Sequence, residues 1–320
     1  MLANVAAADV VGVGQNALDT LIELPRFPAP DSEVEFLSAC PFPGGQIVSA
    51  VIACRHWGLR TRYIGKVGDD AAGELHRAEL ARAGVEAHLI VVPNCASQSS
   101  FILVNRATGE RTILFKRDKR LGLLPEDLRP DWMASVRLLH LGGHSAAAGV
   151  LAARWARAAG ALVMADLDHI YPGIEELLPL LDYPVTSRSF ALRWSGESSL
   201  PQALKRIAAR YGHRIVCATL GRGGALAWDG ARLWYAPAYQ VEVVDSTGAG
   251  DIFHAAFAYG LLQGWPVDRL LSFSCAAAGL NCTALGARGG IKTLAEIESL
   301  RQCGPKLPAA IDEDQLSAPA

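Results

Sequence analysis

Short apolar runs alternate along the chain with longer segments whose apolar residues recur every three or four positions. The first kind reads as buried strand, the second as helix. Residues 10–13 and 62–67 are strand-like. A helix over 47–57, ended by Gly58, separates them, and a helix over 73–83, ended by Gly84, follows. The pattern then becomes regular. Strand 136–141 leads to a helix over 146–159 stopped at Gly160, then to strand 162–166 and a helix over 173–181. A helix over 200–211, stopped at Gly212, precedes strand 214–219. Strand 239–244, an apolar helix over 252–262 and a small-residue helix over 273–282 complete the series. This alternation predicts a three-layer α/β fold, a mainly parallel sheet covered by helices on both faces. Segments 34–37, 101–104 and 111–115 break the alternation. The last two form a hairpin across the turn at 107–110, and the three predict a small separate sheet.

With 320 residues, 51% of them hydrophobic, the chain can bury a large core. One domain over 1–303 with a β-sheet appendage drawn from about 15–43 and 98–120 fits this pattern. The Pro-, Ala- and acid-rich segment 304–320 reads as a poorly ordered tail. Thirty basic against 32 acidic residues give a net charge of −2, which offers no bulk attraction for nucleic acid. Seven scattered cysteines without a Cys-x-x-Cys pair point to reduced thiols and a cytoplasmic protein. Asp9 interrupts the first apolar run, so no signal peptide is expected. No apolar run is long enough to predict a transmembrane helix.

The densest chemistry lies at residues 245–251, Asp-Ser-Thr-Gly-Ala-Gly-Asp, just ahead of the apolar helix. The Gly248-Ala249-Gly250 turn presents backbone N–H groups at a helix N-terminus, a site for negative charge. Asp251 stands beside it, where a carboxylate can take a proton from a hydroxyl. An anion hole next to a base is what phosphoryl transfer to an alcohol requires. There is no Gly-x-x-x-x-Gly-Lys-Ser/Thr segment, so the P-loop route is excluded at motif level. Gly12-Val13-Gly14-Gln15-Asn16-Ala17 is a partial dinucleotide fingerprint, but Pro25 and Pro28 cut short the helix it needs. Asp70 is placed to cap the helix that follows Val67-Gly68-Asp69-Asp70.

The 245–251 string, together with Gly44-Gly45, the Val67-Gly68-Asp69-Asp70 segment and Thr219-Leu220-Gly221-Arg222-Gly223-Gly224-Ala225, resembles the PfkB carbohydrate kinases, the ribokinase-like family. The pattern is nearest to the ketohexokinase and sulfofructose kinase branches, from residue 10 to about residue 292. The resemblance implies a ribokinase-like fold whose small sheet is a lid, and ATP-dependent phosphorylation of a small sugar. It implies that Asn16, Asp19, Gly44, Gly45 and Ser49 hold the acceptor, with His144 and Asp166 on the same sheet edge. It places nucleotide near Ser187, Thr219, Gly221, Gly224 and Thr247, with Cys275, Ala278 and Cys282 flanking adenine. Mg²⁺ would accompany ATP, and a K⁺ site would lie near Asp245, Thr247 and Gly286. A homodimer through the lid sheet is also implied.

Two positions depart from the family pattern. Ser49 stands where an Asn contacts sugar, with the shorter reach of a hydroxyl. Phe190 stands where a Glu helps organise Mg²⁺, and an aromatic ring cannot bind a cation's waters. That loss motivates an alternative, a non-catalytic sugar or nucleoside sensor on the same scaffold. Another is a kinase for a nucleoside. Arg117, Lys119 and Arg120 stand near the expected lid, facing either an anionic substrate group or solvent.

Overall fold

Alternation of covered strands with helices is what the computed structural model displays, over residues 7–311. The first part comprises β1 (Ala8–Val13), β2 (Ala17–Leu24), β3 (Ser38–Gly44), α1 (Gln46–His56), β4 (Thr61–Gly68) and α2 (Ala71–Ala83). Then come β5 (Glu86–Val92), β6 (Ser99–Asn105), β7 (Arg111–Lys116), β8 (Val136–Gly142), α3 (Ala146–Ala158), β9 (Leu162–Leu167) and α4 (Ile174–Leu177). The chain continues through β10 (Tyr183–Ser187), α5 (Arg188–Ser195), α6 (Leu200–Tyr211), β11 (Val216–Thr219), β12 (Ala225–Trp228) and β13 (Leu233–Ala236). Helices α7 (Ala249–Leu262), α8 (Val267–Asn281) and α9 (Leu294–Cys303) follow.

Among the described residues the main sheet runs β13-β12-β11-β10-β9-β8-β1-β4-β5, parallel except at β12 and β13. β1 is buried at every position, as a central strand covered on both faces must be. One apolar cluster joins α1, α7 and α8 to one face, including Phe253, Phe257, Leu271 and Phe273. Another joins α3 to the opposite face through Ala152, Ala156, Leu139 and Val163. The chain passes from β1 to β4 on one side and to β8 on the other. This reversal opens a crevice at the carboxyl ends of the strands, the ligand edge of such sheets.

A second sheet runs β3-β2-β6-β7. The β6–β7 hairpin is antiparallel, whereas β2 and β6 pair in parallel. Its inner face packs Leu21, Ile102 and Val104 against Phe42 and Leu285. The hairpin expectation is met, but residues 34–37 are not a strand. Their place is taken by β3, whose Pro41 and Pro43 disguise it in sequence and are tolerated because it is an edge strand. Residues 239–244 are also not a strand. Only Tyr239 forms a bridge, to Lys306, while Val243 and Val244 are exposed.

That bridge corrects the expected tail. Residues 304–311 dock on the core: Leu307 N–H donates to Ala238 O (2.8 Å), Ala310 N–H to the Tyr235 hydroxyl (2.9 Å), and Ile311 is buried. Residues 312–320 lie outside the described residues.

Asp70 caps α2 as its position suggests. Its carboxylate accepts from Gly73 N–H (3.0 Å), Ser97 N–H (2.9 Å) and Ser97 Oγ–H (2.6 Å), tying α2 to the segment that enters the lid. Asp70→Ala should therefore lower stability by about 1–2 kcal/mol, the range for loss of a helix cap. A urea melt checks this, and an unchanged midpoint would refute the capping role.

Candidate active site

The site is built from loops stitched together at the N-terminus of α7. Gly248 caps this helix with φ of 75°, and a Cβ there would collide with the Ala287 carbonyl oxygen. Only glycine fits both demands. The first helical bond runs from Ile252 N–H to Gly248 O (2.9 Å), leaving the amides of Gly250 and Asp251 ahead of the ladder. Ala249 N–H turns back to Ser246 O at 3.3 Å, so it is less available to an anion than its two glycine neighbours. Asp245 is fully buried. Its Oδ1 accepts from Thr247 N–H (2.9 Å) and Oγ1–H (2.7 Å), and its Oδ2 from Gly286 N–H (2.9 Å). The two carboxylates of the motif thus separate: Asp245 binds the turn together, and Asp251 lies half-buried in the first turn of α7.

Asp251 lies among other acids. Burial and the neighbouring Asp166 push its carboxyl up to about 7; His254 opposes the shift, Asp19 adds to it and Arg288 opposes it. Burial likewise pushes Asp166 up to about 6. His254, one turn along α7, donates through Nδ1 to Gly250 O (2.7 Å), and its Nε2 lies 3.5 Å from Asp166 Oδ1. His140 stacks behind it at 5.7 Å, and burial pulls that imidazole down to about 3, so it is neutral.

Of the residues expected to hold the acceptor, Asp19 and Asp166 neighbour Asp251. Asp19 on β2 is bonded to the Ser100 hydroxyl of β6, and burial raises its carboxyl. Gly45, with φ of 106°, brings the start of α1 against Asn16, where any Cβ would strike backbone. The Asn16 amide is engaged internally, donating to Tyr63 Oη and Lys66 O at 3.0 Å each, so it orients the loop rather than offering free N–H groups. Ser49 Oγ is buried without a partner, as are Gln15 Nε2, His144 Nδ1 and Asp168 Oδ1. His144 Nε2 lies 2.7 Å from Tyr171 Oη, and Gln46 Nε2 donates to Asp168 Oδ2 (3.2 Å). Tyr63, Ser100, Tyr171, His254 and Arg288 were not singled out in the sequence. Only the Gly-Ala-Arg stretch after 285 gave a hint of the last.

On the other flank, Ser187 Oγ caps α5, accepting from Phe190 N–H (3.1 Å) and donating to Asp168 O (3.1 Å). Phe190 itself is a core residue, 1% exposed and stacked on Trp194. Thr219 ends β11, and Gly221 and Gly224 shape the turn into β12. Cys275, Ala278 and Cys282 share one face at the end of α8, by helical spacing. Burial pushes the Cys275 thiol up to about 12 and that of Cys282 to about 11, so neither is a nucleophile. From the lid, Arg111 of β7 donates to Ser246 Oγ, bridging the small sheet to the anion turn.

A mixed sheet lidding the carboxyl edge of an α/β sheet, above a glycine turn at a helix N-terminus, is the ribokinase-like architecture. A crystal structure from Agrobacterium tumefaciens, assigned as a ribokinase, superposes with a TM-score of 0.85 at 28% identity, covering 93% of this chain and 98% of that one. An Escherichia coli protein assigned as a ribokinase II and solved with ATP and Mg²⁺ gives 0.80 at 24%, covering 92% and 99%. The family model described as pfkB family carbohydrate kinase matches residues 26–294. Fructoselysine 6-kinase of Escherichia coli K12 is 31% identical over 253 residues, 77% of this chain and 92% of that protein. The chain belongs to the PfkB family of carbohydrate kinases. It is a sugar kinase.

The raised carboxyl of Asp251 has a consequence for stability. Between the ordinary value of 3.8 and about 7, the folded chain retains a proton that the unfolded chain has released. The stabilising contribution is therefore complete at low pH and declines as pH rises through that window. In the ligand-free protein, Asp251→Asn should raise the melting temperature at about pH 8 and have less effect at about pH 5. An equal difference at both pH values would contradict the burial of this carboxylate.

Proposed function

We propose that the chain transfers the γ-phosphoryl group of ATP to a hydroxyl of a small sugar or sugar-like alcohol, with Asp251 as base. The observation that carries this reading is the position of the Asp251 carboxylate, in the first turn of the helix that begins with the anion turn. Pushed up to about 7, it accepts a proton without being too weak a base at cellular pH. The acceptor oxygen loses its proton to Asp251 and forms the new bond to the γ-phosphorus, while the bond to the β,γ-bridging oxygen breaks and ADP leaves. The amides of Gly248 and Gly250, with Ala249 between them, face the charge on the transferred group. Asp19, its geometry fixed by Ser100, accepts from sugar hydroxyls; a carboxylate suits a polyol because it only accepts. Gly44, Gly45, Ser49, His144 and Asp166 complete the acceptor wall.

The buried polar atoms left without partners along that wall, Ser49 Oγ and Gln15 Nε2 among them, fit a hydroxyl-rich ligand. ATP extends from the turn toward Ser187, Thr219, Gly221 and Gly224, with the 275–282 face beside the base. Mg²⁺ bound with ATP would supply neutralisation of phosphate charge, and Phe190, buried in the core, would not help to hold it. The buried, unpartnered Asn281 Oδ1, near Asp245, Thr247 and Gly286, is compatible with a K⁺ ion in that loop. Asp251→Asn should retain sugar binding and lose turnover by a factor on the order of 10² or more. Coupled-assay ADP release measures this across ketoses, sugar acids, sugar–amine adducts and nucleosides. Comparable turnover in the variant would remove Asp251 from its role. No release with any acceptor would favour a sensor.

Two copies pairing through the lid fit its surface. β7 is an edge strand exposed at every position, and it carries Ile113, Leu114 and Phe115. Leu114→Asp with Phe115→Asp should convert a dimer to a monomer, read by light scattering. A wild-type monomer at assay concentration would refute the pairing.

A further inference from the structure

Asp168 belongs to none of the roles described so far. The strands β9, β8 and β1 lie side by side, and β1 sits at the reversal that opens the crevice. Gln15 and His144 each come two residues after their strands end, and Asp168 comes one residue after β9. The three residues therefore form a row across the carboxyl edge of the sheet, about 10 Å long at the usual spacing of strands. Each carries a buried polar atom without a hydrogen-bond partner: Gln15 Nε2, His144 Nδ1 and Asp168 Oδ1. The row is held by its other atoms. Asp168 Oδ2 accepts from Gln46 Nε2 (3.2 Å) at the start of α1, directly after the Gly44-Gly45 loop, and His169 Nδ1 lies 3.1 Å from the same oxygen. The Asp168 carbonyl accepts from Ser187 Oγ–H (3.1 Å) at the end of β10. Tyr171 covers Gly143 so closely that a Cβ there would lie 2.9 Å from its ring, and its hydroxyl bonds His144 Nε2 (2.7 Å). Asp168 is thus tied by its main chain and by one carboxylate oxygen, and the protein makes no use of the other.

We infer that Asp168 is a specificity-determining residue of the acceptor site: its unused Oδ1 takes a hydrogen-bond donor, a hydroxyl or a protonated amine, on the part of the acceptor remote from the hydroxyl that is phosphorylated. This rests on the proposed acceptor site. The remoteness follows from the strand. Asp166 lies two residues earlier on β9, with Oδ1 3.5 Å from His254 Nε2 on α7, the helix that carries Asp251. Two residues of extended chain cover about 7 Å, so Asp168 stands further out along the crevice than the reacting centre. A carboxylate accepts and does not donate. It therefore suits a hydroxyl, suits an ammonium more because that bond is charge-assisted, and repels a carboxylate in the same place. Arg117, half-buried past the end of β7, offsets part of the negative charge but makes no ion pair with Asp168. Burial pulls the His144 imidazole down to about 4, so the neighbour of Asp168 in the row is neutral and adds no charge of its own.

The test is equilibrium binding, which needs no turnover. Calorimetric titration, with a non-hydrolysable ATP analogue present, compares D-fructose, its 1-amino and 6-amino derivatives, and the two acids that carry a carboxylate at carbon 1 or carbon 6. At whichever end lies against Asp168, the amine should bind more tightly than the hydroxyl and the acid most weakly. Asp168→Asn keeps the shape and the bond from Gln46 but puts an N–H donor in place of Oδ1. It should weaken that amine about tenfold or more, weaken the hydroxyl less and leave the acid no weaker. Gln46→Ala, which releases the tie but leaves the carboxylate, should weaken all the ligands alike. If Asp168→Asn does not fold, Asp168→Ser removes the charge with a smaller group and takes the same measurement. An equal loss for every ligand in Asp168→Asn would overturn the inference, because Asp168 would then only tie the loop. So would tighter binding of an acid than of the matching amine at both ends in the wild type, or no binding by any of the five. Binding in the expected order without ADP release would instead sink the transfer reaction and leave the role of Asp168 standing.

Discussion

Everything at the site depends on the bonding of two distant loops, 245–249 and 282–288, through the buried Asp245 carboxylate and the Asn281 amide. Asp245 accepts from the turn on one oxygen and from Gly286 on the other. Asn281 Nδ2 donates to Thr247 O and Ala287 O, at 3.1 Å each, closing the same seam from behind. Hydrogen bonds to a charged group contribute about 1.5–3 kcal/mol each, and a buried carboxylate left without them would carry a desolvation cost. The seam therefore holds Gly248 against the Ala287 carbonyl, and that contact fixes where α7 begins. The directions of the free amides and of Asp251 follow from where the helix starts. A motif that looks like a short turn in sequence is, physically, half of a two-loop clamp.

This clamp concentrates acids where water is scarce. Asp19, Asp166 and Asp251 come from three different elements and converge on the same crevice. Crowding and burial make Asp251 a stronger base than a solvated carboxylate, the property that general-base chemistry needs. The same crowding would hold it protonated too firmly if nothing opposed it. His254 and Arg288 provide the opposition, and the stacked, neutral His140 fills space behind His254 without adding charge. The proton affinity of Asp251 is thus a balance among groups spread over most of the chain.

That spread explains what could be read from sequence. The parallel core was legible because each strand and helix announces itself through its own periodicity, as in residues 136–166. The anion turn was legible because main-chain chemistry is written in contiguous glycines. The lid was half legible: the 101–115 hairpin has a turn signal, but β3 hides behind Pro41 and Pro43, and the irregular residues 34–37 imitated a strand. Residues 239–244 alternate like a strand, yet they lie beyond the sheet edge and bond to Cys282 and Pro305 instead. The docked segment 304–311 had composition without periodicity, and it is held by bonds to residues 235 and 238–240 and by the burial of Ile311. Arg288 and Glu79 were silent because a buried ion pair between residues so far apart leaves no local pattern.

The reaction and the specificity are encoded in different materials. Amides of a glycine turn bind charge whatever the acceptor is, so the phosphoryl-transfer half of the site is nearly independent of side-chain identity. Under the proposed function the acceptor half draws on side chains from β2, α1, the turn after β8, and β9. The Ser49 hydroxyl is fully buried and has no hydrogen-bond partner. An unsatisfied buried polar group costs about 1–3 kcal/mol, a cost that any hydrogen-bonding partner removes. An oxygen-rich acceptor satisfies it; an apolar ligand does not. Ser49 is shorter than the asparagine of the family pattern, so an acceptor bonded to it would have to come closer to α1, past a Gly45 whose flank is already filled by the Asn16 backbone. Under the proposed function, selectivity at this wall would be a matter of distance from the α1 N-terminus, set by which hydroxyl of the acceptor reaches Ser49 while another remains within reach of Asp251.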